Sequence, residues 1–132
     1  MDARTVTARV ITAILLIFVI SVFLGQILGQ PILLSFVETG SMAPTMEPGD
    51  GFIAIPPGFA GPIEPGDVIT WDAERLNNGG LVTHRVVRET EQGFITRGDA
   101  NPFTDQSSSA NEPPVQREQI VAVAWQVGGN VV

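Results

Sequence analysis

LVTHRVVR, residues 81–88, is the stretch whose reading decides the fold. It is rich in β-branched residues, so it reads as a strand, with Val82, His84 and Val86 on one face and Thr83, Arg85 and Val87 on the other. Outward from it, FIAI (52–55), DVITW (67–71), GFITR (93–97) and IVAVAWQV (120–127) share this texture and are bounded by turn residues. NNGG (77–80) and EQG (91–93) read as hairpin turns. PFTDQSSSANEPP (102–114) reads as a polar loop, mobile at its centre. After Leu28 no stretch carries a helical period, and no internal repeat is present.

The N-terminal end has a different texture. No charged residue occurs from Val10 through Val37, and VITAILLIFVISVFLGQIL (10–28) is nearly all apolar. About 20 apolar residues in a helix cross the hydrocarbon core of a bilayer. A cleaved signal peptide is the alternative, but the stretch is long for one and no A-x-A-like site follows it. The rest of the chain is too small to bury such a helix all round. Arg4 and Arg9 precede the span and an acidic flank from Glu38 follows it. The positive-inside rule then puts the N-terminus in the cytoplasm and the remainder outside. The expected organisation is a cytoplasmic stretch (1–9), one transmembrane helix (10–28) and an extracytoplasmic domain (29–132). That domain is mainly β, compact and mostly antiparallel, and about 100 residues can bury a core without staples.

Composition narrows the chemistry. The formal net charge is -7 over 132 residues, which argues against a nucleic-acid partner. All seven basic residues are Arg, so there is no Lys; Cys and Tyr are also absent, and His84 is the one histidine. Schiff-base, Lys-base and Tyr-acid mechanisms are excluded, as are disulfides. A metal site at His84 would lack a second His or any Cys, so neither metal nor cofactor is expected. The acidic, Lys-free composition fits a high-salt habitat and GC-rich coding equally well.

ETGSMAPTM (38–46) follows the apolar span and sets Ser41 between Gly40 and Met42. Gly40 allows a tight turn and removes bulk beside the hydroxyl, although a juxtamembrane turn has the same composition. A serine hydroxyl is a poor nucleophile without a base, and with no Lys the natural base is His84. A lone strand histidine can equally be a core residue. A third group would fix the imidazole, and TRGDANPFTDQ (96–106) offers Asp99, at a strand end where Asp also forms turns, and Asp105, in a loop. Spacing alone does not bring these residues together.

Taken together, these boxes resemble type I signal peptidases of the archaeal and endoplasmic-reticulum branch. The serine box is Thr39-Gly40-Ser41-Met42-Ala43-Pro44, just beyond an N-terminal apolar helix. Pro48-Gly49-Asp50 and Pro65-Gly66-Asp67 both look like the Gly-Asp turn that follows, and Asp67-Val68-Ile69 matches it better. His84-Arg85-Val86 is the histidine box, and the run from Gly98-Asp99 to Asp105 is the last one, with Ala100 where Asn is usual. That departure puts a local turn contact in doubt. The resemblance covers nearly the whole chain. Bacterial members use a Ser–Lys pair, which this chain cannot form. Repressor-type self-cleaving proteins on the same fold also need Lys.

The resemblance implies a β-rich signal-peptidase domain and a membrane-bound serine endopeptidase with Ser41 as nucleophile and His84 as base. It makes Asp105 the orienting carboxylate and Asp99 a second important acid. The Thr39 hydroxyl would join the Ser41 backbone N–H in the oxyanion hole. Substrates would be signal-peptide-bearing preproteins cut after small residues at -1 and -3, presented beside the lipid bilayer and the protein-export channel. Phe36, Val37, Met42 and Ile53 are the expected apolar lining of shallow pockets. From Leu28 to Ser41 the chain reaches at most about 45 Å, which tethers Ser41 near the membrane surface. The competing reading is a catalytically inactive membrane-anchored β module that binds exported polypeptides.

Overall fold

Asp2 starts the first helix: its Oδ1 accepts from the Thr5 N–H at 2.8 Å and caps an otherwise unsatisfied donor. In the computed structural model, which describes residues 2–28, 34–128 and 130–132, helix α1 then runs over Ala3–Leu28. It begins seven residues earlier than the apolar run, so Arg4 and Arg9 lie within the helix. Thr7 and Thr12 return their hydroxyls to the carbonyls of Ala3 and Ala8, which hides their polarity within the helix. Ala3–Leu24 is long and apolar enough to cross a bilayer, as a membrane anchor or a signal sequence is, and none of it is buried. The expected start of the domain at residue 29 lies outside the described residues.

The domain is a six-stranded antiparallel sheet. Its strands are β1 (Leu34–Phe36), β2 (Gly51–Ile55), β3 (Val68–Asp72), β4 (Leu81–Thr90), β5 (Gly93–Arg97) and β6 (Ile120–Ala124), in the order β1-β2-β6-β3-β4-β5. β7 (Gln126–Val127) and β8 (Asn130–Val131) form a separate small hairpin. Strand alternation builds two cores. Ile69, Trp71, Val86, Phe94, Val115, Ile120 and Val123 pack on one face. Val37, Met42, Met46, Phe52, Ala54, Val68, Ala122 and Ala124 pack on the other. Each large side chain fully buried in this way contributes about 1.5–3 kcal/mol. His84 is paired with Ile69 across β3 and β4, which places it on the Trp71 face.

Three local readings are corrected, and one strand was not foreseen. The run 120–127 is broken at Trp125, whose N–H donates to Ile53 O and whose carbonyl accepts from Val132 N–H. NNGG is not a tight hairpin: residues 73–80 make a longer connection through a 3-10 turn, Leu76–Asn78. Asn77, Asn78 and Gly79 there take φ values of 51°, 55° and 82°. Segment 102–114 is pinned rather than mobile, because Asp105 and Glu112 are each 2% exposed. Strand β1 had no sequence signal, since three residues are too few to show alternation. By contrast, Glu91 and Gln92 do form the short turn between β4 and β5.

The β1 edge has an apolar side. Leu34 pairs with Ile53 and Phe36 with Gly51, so these residues share a face. A Cβ on Gly51 would touch the Phe36 ring at 3.3 Å and Leu34 at 3.5 Å. Leu34 and Phe36 are both exposed, as is Trp125 next to Ile53.

Candidate active site

Ser41 sits in a single 3-10 turn, Gly40–Met42, closed by Ala43 N–H to Gly40 O at 3.1 Å. Met42 and Met46 anchor this segment in the second core. Thr39 is extended, with φ -123° and ψ 166°, and leads the chain from β1 into the turn. From the far side, residues 98–101 clamp it: Ser41 O accepts from Ala100 N–H at 2.9 Å. Gly98 is needed for this approach, because a Cβ there would lie 2.5 Å from Ser41 O and 3.0 Å from His84 Nε2. Around Gly40, in contrast, a Cβ would meet nothing within 4 Å. The protein's own packing therefore does not require glycine at 40, and the space beside it is open.

His84 projects from β4 and is 6% exposed. Its Nε2 lies 3.0 Å from Ser41 Oγ and its Nδ1 lies 2.8 Å from Asp105 Oδ2. The Trp71 ring meets the imidazole edge-on at a centroid distance of 5.9 Å. Asp105 is held by its own backbone N–H to Thr96 O and by the Thr96 hydroxyl, which donates to Oδ2 at 2.7 Å. An ionised carboxylate only accepts, so this arrangement favours the Nδ1–H tautomer and leaves the Nε2 lone pair facing Ser41.

Of the two candidate acids, Asp105 is the one that reaches His84. Asp99 makes a two-pronged pair with Arg85, Nε to Oδ1 and Nη2 to Oδ2, both at 2.9 Å. It also accepts from the Thr45 hydroxyl at 2.6 Å, and its N–H points at Met42 Sδ. The Arg85 guanidinium, helped by Thr45, holds the Asp99 carboxyl below its ordinary range. Asp99 thus ties the segment after Ser41 to β4.

A cleft of about 570 Å³ opens at Ser41 and His84. One wall is Ser35 to Thr39; the other includes Leu76, Asn77, Leu81, Val82 and Thr83. Phe36, Val37 and Met42 line it. Ile53 is not among its lining residues; it pairs with Leu34 on β1, and its backbone bonds Trp125 and Val132. The Thr39 hydroxyl lies 3.1 Å from Ser41 Oγ. Among the described residues, no three His, Asp or Glu side chains converge as a metal site requires.

Two contributors were not foreseen. Thr96 lies in an ordinary strand, and nothing in GFITR marks its hydroxyl as special. Glu112 is buried in a polar loop and accepts backbone N–H bonds from Glu74, Arg75 and Leu76. An acid between Asn111 and Pro113 carries no sequence signal for that role. No protein-family model and no curated protein matches this chain.

Proposed function

We propose that the chain is a membrane-anchored serine endopeptidase that removes signal peptides from exported preproteins. The observation that carries this reading is the continuous hydrogen-bonded line from Ser41 Oγ through His84 to Asp105, opening on a cleft. In the proposed reaction Ser41 Oγ attacks the scissile carbonyl carbon while its proton passes to His84 Nε2. Asp105 holds the ring and stabilises the imidazolium. His84 then protonates the leaving amine as the C–N bond breaks, leaving an acyl-enzyme. Water, deprotonated by His84, hydrolyses that ester and restores Ser41.

Oxyanion stabilisation falls to the Ser41 backbone N–H and the Thr39 hydroxyl, both at the mouth of the cleft. Helix α1 serves as the anchor, with Arg4 and Arg9 on the cytoplasmic side. A tethered site beside the bilayer meets membrane-embedded substrates at high effective concentration. The substrate chain lies extended beside Ser41.

The test is processing of a signal-peptide-bearing preprotein by the full chain in detergent micelles, with the new N-terminus read by mass spectrometry. The unmodified chain should yield one defined cut, and Ser41→Ala and His84→Ala should yield none. Equal processing by Ser41→Ala and the unmodified chain would defeat the proposal. Binding of the preprotein without any cut would favour the inactive β module.

A further inference from the structure

One loop serves both halves of the cleft. Within 102–114, Asp105 faces His84, and seven residues later Glu112 turns the other way, into the 73–80 connection. Glu112 is 2% exposed, and its carboxylate takes the N–H groups of Glu74 at 2.6 Å, Arg75 at 2.9 Å and Leu76 at 3.0 Å. Arg75 Nη1 adds a bond to Asn111 O at 2.6 Å. The two ends of the loop are themselves joined, because Glu112 N–H donates to Asp105 O at 3.1 Å.

What Glu112 holds is a wall of the cleft. Leu76 and Asn77 line it directly. Asn77 and Asn78 both sit at positive φ, a conformation that Asn tolerates better than other residues with a side chain. The Asn77 side chain bonds the first residue of β4, donating to Leu81 O at 3.4 Å. Two backbone bonds, Ala73 N–H to Gly80 O and Gly79 N–H to Leu76 O, both 3.0 Å, close the connection, and the Glu112 carboxylate adds three consecutive N–H groups to them.

We propose that Glu112 is a positioning residue that sets the form of the Leu76–Asn77 wall and so controls how tightly substrate side chains are gripped. This deepens the peptidase reading and rests on it. Glu112 touches neither substrate nor the Ser41–His84–Asp105 line through its side chain. Its removal should therefore weaken binding and spare the chemical step.

The experiment compares the full chain with Glu112→Gln, which keeps the volume but puts an amide NH2 among backbone donors. Kinetics use a preprotein substrate, and affinity uses a fluorescent signal peptide titrated into a Ser41→Ala background. Glu112→Gln should raise KM about tenfold and leave kcat within about twofold, with a matching loss of affinity in the Ser41→Ala background. The acid limb of its pH–kcat profile should stay where the unmodified chain has it. A fall in kcat as large as that in kcat/KM, or an unchanged Kd, would overturn the proposal. Glu112→Asp covers the case of a Glu112→Gln variant that does not fold: it keeps the charge, shortens the reach to the three N–H groups and should raise KM in the same direction. An unchanged KM there would also overturn it. Absence of any cutting by the unmodified chain would instead sink the peptidase reading, while the Kd comparison would still decide the role of Glu112.

Discussion

Thr96 donates its hydroxyl to Oδ2 of Asp105 at 2.7 Å, the same oxygen that faces His84 Nδ1 at 2.8 Å. Both residues are buried, so the oxygen meets fixed donors rather than water. The Asp105 carboxylate is thereby aimed before any substrate arrives.

Replacing Asp105 with Asn keeps the shape but can present an amide NH2 to Nδ1, which favours the wrong tautomer. In serine proteases with this arrangement, the loss in kcat is about 10⁴-fold. Asp105→Asn should lose activity on that scale while KM changes little. Asp99→Asn should keep much more activity, because Asp99 does not reach the imidazole. Steady-state kinetics on both variants decide this, and equal losses would contradict the assignment.

Asp99 should matter for stability, with a defined dependence on pH. Its two-pronged pair with Arg85 suggests a loss of about 1–3 kcal/mol on Asp99→Asn at neutral pH. The folded carboxyl titrates below its ordinary value of 3.8, chiefly because of Arg85. The unfolded chain therefore binds more protons in that window, so the contribution is complete above the ordinary value and disappears as pH falls through the folded one. Urea unfolding from pH 7 down to pH 3 should show a constant gap between the unmodified chain and Asp99→Asn, closing only at the acid end. A gap that widens towards acid would refute this account.

Thr39→Val removes a hydroxyl and preserves the branch. If that hydroxyl turns from Ser41 Oγ to a developing oxyanion, kcat should fall about 10²–10³-fold with little change in KM. Full activity would remove Thr39 from the oxyanion hole.

Two glycines give opposite expectations. Gly98→Ala would push a methyl against Ser41 O and His84 Nε2, and neither group can move without breaking the site. It should destabilise by about 1–3 kcal/mol and remove most activity. Gly40→Ala meets no atom of the protein and should melt within about 0.5 kcal/mol of the unmodified chain. A Gly40→Ala variant that folds but cuts poorly would show that the open space beside Gly40 belongs to the substrate.

How much was legible in the sequence depends on where each residue finds its partners. Strand β5 was read to the residue, because GFITR is bounded by a turn on one side and Gly98 on the other. Trp125 was misread, because what breaks the strand there is bonding to Ile53 and Val132, not its own composition. Ser41 and His84 could be paired by elimination, since no other base was available. Asp105 and Asp99 could not be separated from the residues alone. Each is a loop acid after a strand, and what distinguishes them is Thr96 for one and Arg85 for the other. Polar composition made 102–114 look mobile, yet Glu112 finds three donors about 36 to 38 residues away.

Among the described residues strand β1 is the last strand of the sheet, with no neighbour on its outer side and with Leu34 and Phe36 exposed. An edge open to an extended guest is equally open to the same strand of another copy. Cutting away helix α1 to obtain a freely soluble domain would leave that edge in place. Self-association through β1 would then limit usable concentration, and a single charged substitution at Leu34, outside the cleft, would be the economical way to suppress it.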